Sequence, residues 1–213
     1  QKEIEKQNHG PLPPNHPANY CMFVLVAMQD DGLLILPTHR LLKLKAAMKI
    51  DALKSALAGS FDVAQTNVAP EQVPQWTDEQ LPRLPNHTFG LYDAASRKLL
   101  RLTMTRPDLL KSLEPNHSDA WRRLDVAILQ RFLIEEIIQP KFNGGEEVKK
   151  GYTSDPSQIV PMTDGKQHDI ALILKPTPLH ALEELGKTGE VMPQKSTFFF
   201  PKLATGMTLY PLR

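Results

Sequence analysis

Apolar residues in this chain fall into two patterns, unbroken runs of strand length and stripes at helical spacing. The longest run is Tyr20-Cys21-Met22-Phe23-Val24-Leu25-Val26-Ala27-Met28. With no polar alternation, it predicts a central strand covered on both faces. Gln29-Asp30-Asp31-Gly32 carries an Asp-Gly turn signal, and Leu33-Leu34-Ile35-Leu36-Pro37 reads as the returning strand of a hairpin. Thr38-His39-Arg40-Leu41-Leu42 comes directly off its end. A short helix follows over Ile50 to Ala58, with Asp51 near its start and Gly59 as its C-cap. Phe61-Asp62-Val63-Ala64 then resumes an extended path. Hairpin, helix and strand in this order predict an α+β layer.

Residues 70–85 are proline-rich and polar, which predicts mostly loop with one helical turn over Thr77 to Leu81. Thr88-Phe89-Gly90-Leu91-Tyr92 and Lys98 to Met104 flank Asp93-Ala94-Ala95-Ser96, a second hairpin with one solvated face. Ser118 to Ile138 is the clearest helix. Its stripe is Trp121, Leu124, Ile128, Phe132 and Ile137, widened by Val126, Leu129 and Leu133. Ser118 is its N-cap and Pro140 its stop. Val148 to Tyr152 and Asp169 to Leu174 read as strands, and Leu179 to Leu185 as a short helix closed by Gly186 and Gly189. Thr197-Phe198-Phe199-Phe200 predicts a buried strand, and Met207 to Tyr210 another. The expectation is an α+β fold, a mixed and largely antiparallel sheet or sheets with packed helices. Gln1 to Gln7 reads as the end of a polar helix stopped by Asn8-His9-Gly10, followed by a proline-rich linker to Pro17. Residues 1–17 are thus expected to be the end of an upstream element plus linker. Residues 18–213 form one domain, with a division into subdomains near 140–150 left open.

Composition narrows the function classes. Lys+Arg 25 against Asp+Glu 24 gives a net charge of +1, so the bulk electrostatic footprint of a nucleic-acid binder is absent. No apolar run approaches the roughly 18–20 residues that span a bilayer. The start, Gln1-Lys2-Glu3-Ile4-Glu5-Lys6, is charged and unlike a signal peptide, so a cytoplasmic protein is expected. Cys21 is the single cysteine, which excludes an internal disulfide and any multi-cysteine metal site. In an apolar strand it reads as an inert core thiol. The 19 prolines exceed the usual share of about 5% and punctuate short elements.

Two segments offer chemistry. Thr38-His39-Arg40 follows a buried strand, and strand ends commonly face pockets. His39 suits a general acid or base, and Arg40 a fork for phosphate or carboxylate. The alternative is a surface ion pair of Arg40 with His39 packed beside it. The second segment runs from Met192-Pro193-Gln194-Lys195-Ser196-Thr197 through Phe200-Pro201-Lys202. An ammonium, two hydroxyls and backbone amides after a proline turn suit an anion. Lys195, Ser196, Thr197, Lys202 and Thr38 are therefore the ligand-binding candidates. The alternative is a strand entry whose hydroxyls satisfy turn amides. No phosphate-loop or nucleophile-elbow pattern occurs. His9, His16, His87, His117, His168 and His180 lack metal-ligand spacing, so no metal site is assigned, and no cofactor is identified. Asp125 flanks the helical stripe and faces either water or a site. Glu135-Glu136 and Glu146-Glu147 read as solvated faces.

Four stretches carry a family resemblance. They are Ala18-Asn19-Tyr20 through Leu36-Pro37-Thr38-His39-Arg40-Leu41, Leu124-Asp125-Val126, Leu172 to Thr177, and Gly189-Glu190-Val191-Met192-Pro193-Gln194-Lys195-Ser196-Thr197 through Pro201-Lys202-Leu203. Together they resemble the C-terminal half of the domain-of-unknown-function 1015 family, uncharacterised bacterial proteins. The resemblance implies an upstream half with an Asp-Gly-His-His-Arg-Tyr type motif and a ParB-like fold, shared with chromosome-partition proteins and free-serine kinases. That motif is absent here. The expectation is a C-terminal fragment whose partner is the upstream half of the same protein. Tyr152-Thr153-Ser154-Asp155 departs from the family's Tyr-Thr-His-Asp, and Lys175-Pro176-Thr177 from its Asn-Pro-Thr. Three functions stay open. One is a small-molecule enzyme, with kinase-like chemistry among its forms, whose phosphorylated or nucleotide ligand meets His39, Arg40, Lys195 and Lys202. Another is a ParB-like regulatory protein linked to nucleic acid, which the near-neutral charge disfavours. The third is a non-catalytic scaffold that completes a pocket or a homodimer.

Overall fold

The computed structural model of the protein describes residues 2–7, 9–28, 30–164, 167–202 and 206. Its strands are β1 (Leu34–Leu36), β2 (His39–Lys43), β3 (Phe61–Gln65), β4 (Thr88–Asp93), β5 (Lys98–Met104), β6 (Lys149–Thr153), β7 (Ile170–Ile173) and β8 (Phe198–Phe200). With its helices, they make an α+β protein, as expected. The chain divides into two compact units, residues 1–34 with 200–213, and residues 35–199.

In the smaller unit the polar helix Lys2–Gln7 ends before His9, whose φ of 54° turns the chain. The proline-rich stretch contains one short turn, Pro17–Asn19, where His16 Nδ1 accepts from the Ala18 amide at 3.1 Å. The following apolar run departs from expectation. Residues 21–27 form neither strand nor helix, and Phe23 is 79% and Leu25 91% exposed. Apolar sequence specifies a buried strand only where neighbours supply hydrogen bonds and cover. The expected hairpin partner, β1, pairs with β8 instead. Cys21 is accordingly exposed rather than a core thiol. The Asp-Gly turn does form, with the Gly32 amide donating to Asp30 Oδ1 at 2.8 Å. The Phe198–Phe200 triplet is a short strand whose last two side chains are exposed, not a buried one. The strand expected over Met207 to Tyr210 lies outside the described residues.

The larger unit is built on a six-stranded sheet of order β3-β5-β4-β7-β2-β6, antiparallel at every pairing with a known register. Strand alternation sends Leu42, Phe89, Leu91, Leu100, Leu102 and Leu172 to one face, where they join Trp121, Ile128, Leu129 and Leu133. Leu41, Tyr92, Leu99, Ala171 and Ile173 fill the other face against Val73, Trp76, Leu81 and Ile159. Two covered faces explain why β4 is buried at all of its positions, where a solvated face was expected. The second cover comes from residues 70–83, a chain of helical turns rather than the expected loop. Pro70, Pro74 and Pro82 each sit at the first or second position of a turn, where the missing N–H has no intrahelical acceptor to satisfy.

The long helix also differs. Ser118 Oγ caps it by accepting from the Trp121 amide at 3.2 Å, as expected. It breaks at Leu124, which is extended, and restarts at Asp125. Residues Ile128–Ile138 form wide π-type turns, and Gln139–Phe142 continues past Pro140. Pro140 does not stop the helix because it enters at the start of that last turn.

Gly90 on β4 shows how closely the second layer packs. A Cβ there would lie 2.8 Å from Trp76 Cζ3 and 3.2 Å from Ile173 Cβ. Gly90→Ala is expected to lower stability by about 1–3 kcal/mol. Urea unfolding should show this as a lower midpoint at unchanged slope.

Candidate functional site

Antiparallel register gathers the chemistry at one end of the sheet. Arg40 near the start of β2 faces Leu172 near the end of β7, and Ile173 faces Gly90 near the start of β4. Residues 38–40, 174–177 and 86–88 therefore share one edge.

His39 and Arg40 are neighbours on β2, so their side chains leave on opposite faces. Arg40 shares a face with Leu42 and lies across from Tyr152, with its guanidinium carbon 5.6 Å from that ring's centre. One terminal nitrogen donates to the Thr38 carbonyl, and the other donates to the Gln194 carbonyl at 3.3 Å. Arg40 is fully buried, and its Nε has no partner among the described residues. Burial pulls its pKa down to about 10, against the opposing influence of Tyr152. No carboxylate pairs with it among the described residues. A guanidinium this deep ordinarily has an anion beside it.

His39 is equally buried. Its Nδ1 accepts from the Leu174 amide at 3.4 Å, which leaves the ring proton on Nε2. That Nε2 has no partner among the described residues. Burial, reinforced by the Arg40 charge, lowers its pKa to about 4 and keeps the ring neutral.

The Arg40 to Gln194 bond brings the tail motif to this edge. Lys195 follows with φ of 57°, a left-handed turn position, and its side chain is exposed. Ser196 is buried and its hydroxyl donates to the Pro193 carbonyl. Thr197 is half-buried. Thr38 is buried and contributes its carbonyl to Arg40. Lys202 is exposed and belongs to the smaller unit. The turn is anchored from behind by the segment before it. Trp121 Nε1 donates to the Val191 carbonyl at 3.0 Å. Glu190 Oε1 accepts from the Ser118 amide at 2.9 Å and meets His117 Nδ1 at 3.0 Å. Hydrogen bonds from Ser118 hold the Glu190 pKa down to about 2.

A cleft of about 270 Å³ opens on the same edge, lined by His87, Arg123, Asp125, Lys175, His180 and Glu184 among others. His87 Nδ1 meets Asp125 Oδ1 at 2.8 Å. Lys175 Nζ donates to the carbonyls of Leu84 at 2.5 Å and Pro85 at 3.0 Å, and burial lowers its pKa against the pull of Asp125. Charge and spacing along the chain did not single out this cleft. The signals were the place of Asp125 beside the helical stripe, which left it facing water or a site, and the position of Leu124-Asp125-Val126 and Lys175-Pro176-Thr177 in the stretches of family resemblance. Among the described residues, no group of three or more His, Cys, Asp or Glu side chains is arranged to hold a metal ion. None of their helices is long and apolar enough to cross a membrane.

The chain belongs to the family described as Protein of unknown function (DUF1015), which it matches over residues 1–127. No curated protein matches the sequence. Among solved structures, it is similar to a conserved hypothetical protein from Pyrococcus furiosus, at 17% identity and a TM-score of 0.44, covering 83% of this chain and 60% of that one. It is also similar to a free serine kinase in complex with AMP, at 14% identity and a TM-score of 0.44, covering 83% of this chain and 57% of that one. A mutant of free serine kinase in complex with ADP is similar at 14% identity and a TM-score of 0.42. The chain thus spans 57–60% of the length of the solved chains it matches.

Proposed function

We propose that this DUF1015 chain contributes an anion-binding surface to a small-molecule enzyme whose ligand carries a phosphate, a nucleotide being one such ligand. Arg40 is the centre of that surface, with Thr38, Lys195, Ser196 and Thr197 around it. The observation that carries the reading is the buried Arg40 guanidinium, without a carboxylate and with its Nε unpartnered among the described residues. Carbonyl oxygens and an aromatic face offset part of that charge, and a phosphate would complete it. Phosphoryl transfer relies on positioning and charge stabilisation, so kinase-like chemistry suits such a surface. In this reading, neutral His39 fixes the strand end from the opposite face.

A second reading has its own support. Both terminal nitrogens of Arg40 already hold carbonyls, joining the start of β2 to the tail turn. The same groups can serve as a staple in a non-catalytic scaffold domain.

A thermal-shift panel separates the two. It contains pyrophosphate, AMP, ADP and sugar phosphates, each with and without magnesium. A ligand at a hundred times its dissociation constant raises stability by about 2.7 kcal/mol. The enzyme reading expects one such shift, reduced in Lys195→Ala, a substitution at an exposed side chain. A panel with no shift favours the scaffold.

A further inference from the structure

The cleft beside the helix Leu179–Thr188 has features that the Arg40 reading does not use. Its His87 is held by Asp125 in the geometry of an oriented base. A carboxylate accepts only, so the ring proton sits on Nδ1 and points at Asp125, and Nε2 carries the lone pair. His87 Nε2 has no partner among the described residues. Two cations line the same space. Lys175 is bonded to carbonyls only, and Arg123 is exposed; neither lies within ion-pair distance of a carboxylate among the described residues. A volume of about 270 Å³ is small for a ligand pocket, which fits a molecule of a few carbons.

We propose that this cleft is a separate site for a small hydroxyl-bearing molecule with a phosphate or carboxylate group. Lys175 and Arg123 hold the anion. His87 Nε2 accepts a hydrogen bond from the ligand's hydroxyl, which keeps its proton, and Asp125 holds the ring in the tautomer that can accept. Asp125 is a positioning residue, fixing the tautomer. The site lies on residues 86–87, 120–125 and 175–184, none of which bonds to Arg40.

The test is NMR on the whole chain with labelled histidines, the His87 signals being those lost in His87→Gln. Glycerol 3-phosphate and glycerate are titrated separately at constant ionic strength. One of them is expected to move the His87 signals to saturation, and which one does so identifies the anion. Lys175→Met and Arg123→Ala are each expected to weaken that binding by at least about tenfold, or about 1.4 kcal/mol. Should Lys175→Met fail to fold, Arg123→Ala carries the test, since its side chain is exposed. Ring nitrogen shifts should show Nε2 unprotonated, and Asp125→Asn should disturb that tautomer. Arg40→Met should leave the His87 response intact. The proposal is overturned if neither ligand moves His87, or if both cation variants respond like the wild type. It is also overturned if Arg40→Met alone removes the response, which would place the anion at the strand end and leave the Arg40 reading standing.

Discussion

Trp121→Ala is expected to lower the unfolding free energy by about 3–5 kcal/mol. The indole is buried under the sheet's helical cover and stacks on His117, with ring centres 3.8 Å apart and planes 8° from parallel. Its truncation leaves a cavity and also frees the Val191 carbonyl that Nε1 now satisfies. The second consequence concerns the site. Val191 lies between Glu190, which holds the Ser118 amide, and the turn that places Gln194 against Arg40. Loss of the indole therefore loosens the tail turn as well as the core. Chemical denaturation checks the first effect, and amide exchange over residues 189–196 checks the second. A loss below about 1 kcal/mol would mean that the indole packs as ordinary surface.

Acidification carries the other large effect. His39 titrates near 6.5 when unfolded but only at about 4 in the fold, because burial and the Arg40 charge oppose its proton. Between those values the unfolded chain binds the extra proton. Stability from this group is therefore complete above pH 6.5 and is lost as pH falls towards 4. At about 1.36 kcal/mol for each pH unit, the loss approaches 3 kcal/mol. His39→Asn keeps an acceptor near the Leu174 amide and cannot titrate, so its stability curve should be flatter by that amount. An unchanged slope in the variant would show that His39 is reached by water. Glu190 adds a separate loss at lower pH, since hydrogen bonds from Ser118 hold it down to about 2 and its contribution falls away below 4.5.

These effects also show what could be read from the sequence. Strands β3 to β7 and the Ser118 cap are local, set by apolar runs, turns and an N-cap hydroxyl, and they were legible, whereas 38–42 read only as the segment after a strand and is itself β2. The run from Tyr20 to Met28 was not, because its exposure depends on which strand pairs with β1. Residues 70–83 misled through their prolines, whose positions within successive turns appear only in three dimensions. Arg40 and Lys195 were marked by residue type and position. Their approach through the Gln194 carbonyl, across more than a hundred residues of chain, was not. The His87 and Asp125 pair was missed for the same reason, since helix break and strand start meet only through the packing of the helix on the sheet.

The most direct test of the Arg40 reading is a calorimetric titration of pyrophosphate into the wild type and Arg40→Met. A buried cation awaiting its anion requires binding in the wild type and at least about a tenfold weaker affinity in the variant. Equal affinities, or no binding by the folded wild type, would contradict the account and leave Arg40 as a staple between β2 and the tail turn.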